Sequence, residues 1–123
     1  MGFSIIIPAW NLWETTLACL RSLAACHDGM DDLLTEVVVL DNGSSDATAT
    51  ELGAAGTALF GGRFTRVRLE ENRGFAVGCN AGALAARGDT LLFLNNDTTV
   101  TPHWLRPLHK ALQMEDTGAA GPL

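Results

Sequence analysis

Four separate segments of the chain place polar side chains directly after an apolar run. These segments are residues 8–11, 41–43, 71–73 and 95–97. A carboxylate such as that of Asp41 can accept hydrogen bonds from a base N–H or a ribose hydroxyl, or it can cap the turn that follows it. The oxygens of Asn95, Asn96 and Asp97 suit a hard divalent cation, although the same residues are good turn-formers. The chemistry indicated is the binding of an anionic small ligand.

The elements that precede these segments alternate between short β-branched runs and longer helical patterns. We predict strands at residues 3–8, 35–40, 64–69 and 90–94, and helices at residues 11–26, 47–55, 74–87 and 102–115. This alternation is typical of a parallel sheet covered by helices, so the predicted fold class is α/β, with three layers. The carboxyl ends of parallel strands share one edge, where ligands bind near the reversal of strand order. We therefore expect the four polar segments to meet in one crevice.

Several local signals refine these predictions. Asn11 and Glu14 resemble a capping box, and Thr101 followed by Pro102 resembles another helix start. The predicted buried face of the first helix is formed by Leu12, Thr16, Cys19, Leu20 and Leu23. The glycine-rich residues 53–62 are predicted to be a surface connection, and residues 118–123 to begin another strand. The spacing of Gly74, Gly78 and Gly82 predicts a smooth helix face that approaches the sheet or a ligand closely.

Composition and charge exclude several classes of function. A net charge of −6 with a single lysine disfavours nucleic acid as a partner, because phosphate backbones are held by clustered cations. No apolar run approaches the ~20 residues that a membrane span requires. The three cysteines have no metal-type spacing and are predicted to be reduced, buried thiols of a cytoplasmic protein. A P-loop is absent, the first strand is not followed by a dinucleotide fingerprint, and the acidic pair of a receiver domain is missing.

The polar segments also form an ordered set of motifs. The set is Pro8-Ala9-Trp10-Asn11, then Asp41-Asn42-Gly43-Ser44-Ser45-Asp46, then Asn72-Arg73-Gly74-Phe75-Ala76 with Asn80, then Leu94-Asn95-Asn96-Asp97. In order and spacing it resembles glycosyltransferase family 2, and in its details the rhamnosyltransferase-like members. The resemblance covers essentially the whole chain.

The resemblance implies a Rossmann-like GT-A fold and a nucleoside-diphosphate sugar donor, with Mg²⁺ or Mn²⁺ bridging the diphosphate. It places Pro8, Ala9 and Trp10 beside the base and ribose, gives Asp41 contact with the base, and lets Asn72 and Gly74 shape the nucleotide pocket. Asn95, Asn96 and Asp97 occupy the Asp-x-Asp position, with Asp97 as the expected metal ligand. The first position of that motif is Asn95 rather than Asp, which lowers the charge offered to a cation.

The resemblance further implies an inverting transfer, in which a carboxylate general base deprotonates the acceptor hydroxyl. Members of the family carry that base, and the binding site for a glycan or lipid-linked acceptor, in a further segment. We therefore expect residues 1–123 to be the donor-binding half of a longer cytoplasmic protein, acting at the inner face of the membrane, and to transfer no sugar alone. The alternative is a non-catalytic nucleotide-binding or scaffold module.

Overall fold

A computed structural model describes residues 2–26 and 32–121 of the chain. Four strands and four α-helices alternate, with one short 3-10 turn before the third strand. In chain order the elements are β1 (Phe3–Ala9), α1 (Trp13–Ala25), β2 (Leu34–Asn42), α2 (Ala47–Phe60), the 3-10 turn (Gly61–Arg63), β3 (Phe64–Leu69), α3 (Phe75–Ala85), β4 (Thr90–Phe93) and α4 (Leu105–Leu112). The predicted α/β class is confirmed.

The four strands form one parallel sheet in the order β3-β2-β1-β4. Ile6 of β1 pairs with Val38 of β2 on one side and with Phe93 of β4 on the other. The chain therefore adds strands outward from β1 through β2 to β3, and then returns to the opposite side of β1 for β4. This reversal places a topological switch point beside the carboxyl end of β1, where open α/β sheets bind ligands.

The core lies on both faces of the sheet, which explains the continuous apolar runs at residues 5–9 of β1 and 37–40 of β2. On one face, Ile5 and Ile7 of β1 join Val37 and Val39 of β2 in a buried cluster. That cluster is completed by Cys19, Leu20 and Leu23 of α1 and by Leu52 of α2. The opposite face is covered by α3, so the domain has helices on both sides of the sheet.

The glycines of α3 allow this helix to lie close against the sheet. A Cβ added at Gly82 would lie 2.6 Å from Cγ2 of Ile6, and one at Gly78 would lie 3.1 Å from Nδ2 of Asn42. Both glycines therefore serve helix-to-sheet packing, one of the two readings of their spacing. Gly74 differs from them, because it precedes the helix with a φ of +87° and a Cβ there would meet no neighbouring atom.

The structure corrects the predicted bounds of the first two helices. The first helix begins at Trp13, and Asn11 and Leu12 before it have left-handed backbone angles, so no capping box forms. Leu12 is 67% exposed and does not belong to the buried face. The second helix continues to Phe60, so the surface connection predicted from residue 53 is wrong as far as residue 60. Gly56 is required there because a Cβ would lie 2.2 Å from Cζ of Phe64.

The C-terminal elements also differ from the prediction. The fourth helix spans only Leu105–Leu112, because residues 102–103 form a turn in which His103 has a φ of 65°. Thr101 therefore does not cap it. Residues 118–121 form no strand, and residues 122–123 lie outside the described part of the chain.

The fourth strand is half exposed rather than buried. Leu91 and Phe93 are 43% and 50% exposed, because α3 packs mainly over β1 and β2 and leaves their face of β4 open. Within the described residues, no helix has the length and apolarity needed to cross a membrane.

Candidate functional site

The loops that follow β1 and β2 are joined by hydrogen bonds at the carboxyl edge of the sheet. The backbone N–H of Asn11 donates to Oγ of Ser44 at 2.8 Å, and Oδ1 of Asn11 accepts from the backbone N–H of Ser45 at 2.9 Å. The N–H of Trp13, at the start of α1, donates to Oδ2 of Asp46 at 3.0 Å. These contacts replace the local capping box predicted for Asn11, because its side chain binds the second loop.

A second set of contacts joins the end of β2 to the loop before α3. Oδ1 of Asn42 accepts from the N–H of Arg73 at 3.0 Å, and its Nδ2 donates to the carbonyl of Gly74 at 3.0 Å. Oδ1 of Asn72 in turn accepts from the N–H of Gly74 at 2.8 Å. A Cβ at Gly43 would lie 2.6 Å from the backbone nitrogen of Asn72, so the two loops touch through their main chains. Asn72 and Gly74 thus belong to the rim, by which we mean the joined loops at the carboxyl edge of the sheet.

Asp41 is fully buried at the end of β2 and has two kinds of partner. Its Oδ1 accepts from the N–H of Ser44 at 2.9 Å, which is the turn-capping role that its position allowed. Its Oδ2 accepts from Nη1 of Arg68 at 2.6 Å and lies 3.8 Å from Nη2 of Arg66. Our reading of the sequence missed both arginines. Their alternation along β3 was the available signal, since it places both arginines on one face of the strand. The sheet register then sets Arg68 opposite Asp41.

The loop after β4 lies against the first half of α1. The side-chain amide of Asn96 donates to Oγ1 of Thr16 at 3.0 Å, and the thiol of Cys19 lies 3.9 Å from the carbonyl of Asn95. Burial, and secondarily the negative charge of Asp97, raise the pKa of the Cys19 thiol to about 11. The carboxylate of Asp97 itself is exposed. The Cys19 thiol is therefore protonated at neutral pH, and Asp97 is the group that faces solvent.

The residues after β1 occupy the middle of this edge. Ala9 is buried and pairs with Asp41 across the β1–β2 ladder, whereas Trp10 is 51% exposed. Pro8 is half-buried one residue earlier in the strand. The structure thus brings every predicted site residue to the carboxyl edge. It leaves Trp10 and Asp97 open to solvent and closes Asp41 off from it.

Residues 4–122 match the family described as Glycosyl transferase family 2. The chain belongs to this family. It is 42% identical over 97 residues to the uncharacterized glycosyltransferase YfnE of Bacillus subtilis, an alignment that covers 79% of this chain and 23% of YfnE. It is 33% identical over 118 residues to the succinoglycan biosynthesis protein ExoO of Rhizobium meliloti, covering 96% of this chain and 30% of ExoO. The matched regions therefore span less than a third of the length of these two relatives.

Solved glycosyltransferase structures share the fold. The structure of Staphylococcus aureus TarS 1-349 in complex with UDP-GlcNAc matches with a TM-score of 0.75 and 26% identity, covering 91% of this chain and 31% of that one. The mannosyltransferase PcManGT from Pyrobaculum calidifontis, in complex with GDP-Man and Mn²⁺, matches with a TM-score of 0.69 and 25% identity, covering 79% of this chain and 28% of that one. The Rossmann-like GT-A fold is therefore confirmed for this family 2 chain.

The side-chain oxygens at the carboxyl edge of this family 2 domain fit a cation that is bound jointly by the protein and by a ligand. Among the described residues, no group of three or more His, Cys, Asp or Glu side chains is arranged to hold a metal by itself. The exposed side chains of Asp97 and Asn95 offer oxygen donors in the loop after β4. Magnesium is commonly bound through one or two carboxylates together with substrate phosphates and water. One carboxylate is sufficient for that mode of binding when the phosphates of a ligand supply further oxygens.

The histidine of α4 lies at the amino end of the sheet. His109 of α4 packs edge-on against Phe3, with ring centroids 5.7 Å apart, below the start of β1. Cys19 and Cys79 are buried free thiols and Cys26 is a half-buried one. The prediction of burial is thus confirmed for Cys19 and Cys79 and wrong for Cys26, while the reduced state stays a prediction. His27 lies outside the described residues.

Proposed function

We propose that this chain binds a nucleoside-diphosphate sugar at the carboxyl edge of its sheet, as the donor-binding half of an inverting glycosyltransferase. The observation that carries the proposal is the placement of Asp41 at the carboxyl end of β2 and of residues 95–97 after β4, on one edge with β1 between them. Parallel strands bind ligands at that edge, beside the reversal of strand order. The similarity to TarS, whose structure contains UDP-GlcNAc, supports the same ligand class.

The proposed roles follow the order of the residues along the rim. Pro8, Ala9 and Trp10 border the base and ribose, with the exposed indole of Trp10 offering a flat apolar surface. Asp41 contributes a hydrogen-bond acceptor to the base side, and the Asn72–Gly74 turn shapes the nucleotide pocket. Asn95 and Asn96 bind polar groups of the diphosphate or sugar.

Asp97 is the proposed ligand of Mg²⁺ or Mn²⁺. A bound divalent cation supplies positive charge to the diphosphate, which stabilises this leaving group as the sugar bond breaks. The exposed position of Asp97 allows the cation to enter together with the nucleotide. The second carboxylate that a metal site often has is replaced here by Asn95, so we expect metal binding to depend strongly on the diphosphate.

Transfer to an acceptor is proposed for the protein in which this domain acts, because the relatives are three to four times longer than the matched region. The proposed acceptor is a hydroxyl of a glycan or of a lipid-linked acceptor, and a carboxylate outside this domain deprotonates it. We infer a hexosyl or rhamnosyl donor and a reaction at the cytoplasmic face of a membrane. The domain alone is expected to bind the donor without transferring the sugar.

The test is a titration of nucleoside diphosphates with and without Mn²⁺, followed by calorimetry or NMR. We expect selective binding that Mn²⁺ strengthens, and we expect Asp97→Asn to abolish the metal-dependent increment. The matched control is Asp89→Asn, which removes an exposed carboxylate next to β4 at the opposite, amino edge of the sheet. Binding that ignores Mn²⁺, or that falls equally in both variants, would refute the assignment of Asp97.

A further inference from the structure

Arg68 of β3 holds the loop after β2 at two points. Its Nη1 donates to Oδ2 of Asp41 at 2.6 Å, and its Nη2 donates to the carbonyl of Ser44 at 3.1 Å. The carboxylate of Asp41 is fully buried, whereas the side chain of Arg68 is 29% exposed. One guanidinium therefore fixes the carboxylate and the turn that follows it, from a position that solvent can still reach.

The neighbouring arginine does not share this role. Arg66 lies two residues earlier on the same face of β3, but its Nη2 is 3.8 Å from Oδ2 of Asp41, beyond hydrogen-bonding distance. That nitrogen donates instead to the carbonyl of Ala49 in α2, at 3.1 Å. The two side chains thus have the same charge and strand but different partners, which makes Arg66 a matched control for Arg68.

The pairing leaves Asp41 with a restricted set of free acceptor positions. A carboxylate has about four lone-pair sites, and here the N–H of Ser44 occupies one on Oδ1 while Arg68 occupies one on Oδ2. The carboxylate is fully buried, so a base reaches a remaining site only through the loop that Arg68 holds in place. A base that presents an N–H donor to this carboxylate is favoured over one that presents an acceptor, which would meet an unpaired carboxylate lone pair.

We propose that Arg68 is a positioning residue for base recognition, which sets the selectivity between nucleobases by fixing the Asp41 carboxylate and the Ser44 carbonyl. This inference rests on the proposed function, because it requires a nucleotide whose base lies beside Asp41. It predicts that Arg68 matters for the choice among bases and matters little for the diphosphate, which is bound at the residues after β4.

The experiment uses the whole chain and the probes UDP, CDP, GDP, ADP and inorganic pyrophosphate, each titrated with Mn²⁺. We expect Arg68→Gln to reduce the ratio of affinities between the best and the worst nucleotide by about tenfold or more, since hydrogen bonds to charged groups carry energies of that order. Pyrophosphate affinity is expected to change less than about twofold, because its contacts lie elsewhere. Arg66→Gln is expected to keep the wild-type ratio.

Arg68→Lys provides a second variant that retains the charge. A lysine can reach one of the two acceptors but cannot reproduce the planar fork, so an intermediate ratio is expected. Thermal unfolding of every variant separates selectivity from folding. An Arg68 variant that is folded and discriminates among bases as the wild type does would overturn the inference. A uniform loss of affinity that includes pyrophosphate would overturn it too.

The two proposals fail in different ways. If the wild-type chain binds none of the nucleotides, the proposed function fails and the role of Arg68 fails with it. If the wild type discriminates among bases and both Arg68 variants do so to the same extent, only the role of Arg68 is wrong.

Discussion

Thr16 of α1 accepts a hydrogen bond from the side-chain amide of Asn96 at 3.0 Å. Thr16 is fully buried, so this bond fixes the loop after β4 against the side of the first helix rather than leaving it as a free turn. The adjacent Asp97 is exposed. The first helix therefore sets the position of the carboxylate that we propose as the metal ligand, although that helix contributes no carboxylate to the site.

We predict that Thr16→Val weakens metal-dependent nucleotide binding while retaining the fold. Valine has nearly the same shape but offers no acceptor, so the amide of Asn96 loses its partner at a cost of about 1 kcal/mol in the free energy of unfolding. Chemical denaturation measures that cost, and titration with Mn²⁺ and a nucleoside diphosphate measures the loss of binding. The control is Thr50→Val, because the hydroxyl of Thr50 is exposed and bonds only to Ala47 within its own helix. Equal effects of the two variants would contradict this account.

Gly82 of α3 and Gly53 of α2 are predicted to change the stability of the protein in opposite directions when each is replaced by alanine. At Gly82 the new methyl group would lie 2.6 Å from Ile6 of the sheet, so Gly82→Ala is expected to cost about 1–3 kcal/mol through overpacking. At Gly53 no atom lies within 4 Å, and the residue is inside α2, so Gly53→Ala is expected to stabilise the protein by up to about 1 kcal/mol. The free energies of unfolding of the two variants test this. A stable Gly82→Ala protein would mean that α3 does not pack as closely as described.

The sequence predicted the sheet, and the gathering of the polar segments at one edge of it, better than the ends of the helices. The alternation of residues 64–69 predicted β3 with its observed bounds, and the apolar runs predicted β1 and β2 within a few residues. These patterns are local, because each residue of a strand faces one side of the sheet in turn. The gathering of the polar segments at one edge followed from the parallel topology alone, since every strand of such a sheet ends at the same edge.

The errors arose where a distant contact decides the local structure. Asn11 has a left-handed backbone and binds the loop after β2, a contact more than 30 residues away in sequence that no local capping pattern can indicate. Gly56 lies within α2 and leaves room for the ring of Phe64, whereas a glycine-rich segment is by itself typical of a loop. The pairing of Arg68 with Asp41 likewise required the register of β3 against β2, which the sequence does not specify.

Glu36 at the start of β2 is predicted to make the protein sensitive to acid. Burial by itself raises the pKa of this carboxyl group, but hydrogen bonds from the N–H and side chain of Arg87 and from the hydroxyl of Ser4 outweigh burial and lower the pKa below its ordinary value of 4.5. A lowered pKa means that the folded state prefers the charged form. Its contribution to stability is fully present above about pH 4.5 and is lost as the pH falls through the folded-state pKa.

The variant Glu36→Gln tests this contribution. We expect it to cost about 2 kcal/mol at neutral pH, because it replaces hydrogen bonds to a buried charge with weaker neutral ones. Relative to the wild type, the cost is expected to shrink as the pH is lowered below 4.5, where the wild type loses its own advantage. Urea unfolding at several pH values measures both effects, with Glu51→Gln, an exposed carboxylate on α2, as the control. A cost that is independent of pH in this range would show that the charge of Glu36 is not what stabilises the fold.

Asp46 caps two helices at once, and its replacement is predicted to loosen the carboxyl edge. Its Oδ1 accepts from the N–H of Thr48 in α2, and its Oδ2 accepts from the N–H of Trp13 in α1, each at 3.0 Å. Both bonds lie at helix N-termini, where a negative charge is also favoured by the helix dipole. We expect Asp46→Ala to cost about 2 kcal/mol and Asp46→Asn to cost less, because asparagine retains one of the two acceptors. Thermal unfolding ranks the variants, and Ser45→Ala, an exposed neighbour, is the control.

The loop that carries Asp46 also contains Ser44 and directly follows Asp41 at the end of β2. We therefore expect the rank order of nucleotide affinity among these variants to follow their rank order of stability. A variant that loses stability but keeps full affinity would show that the helix caps and the binding site are independent.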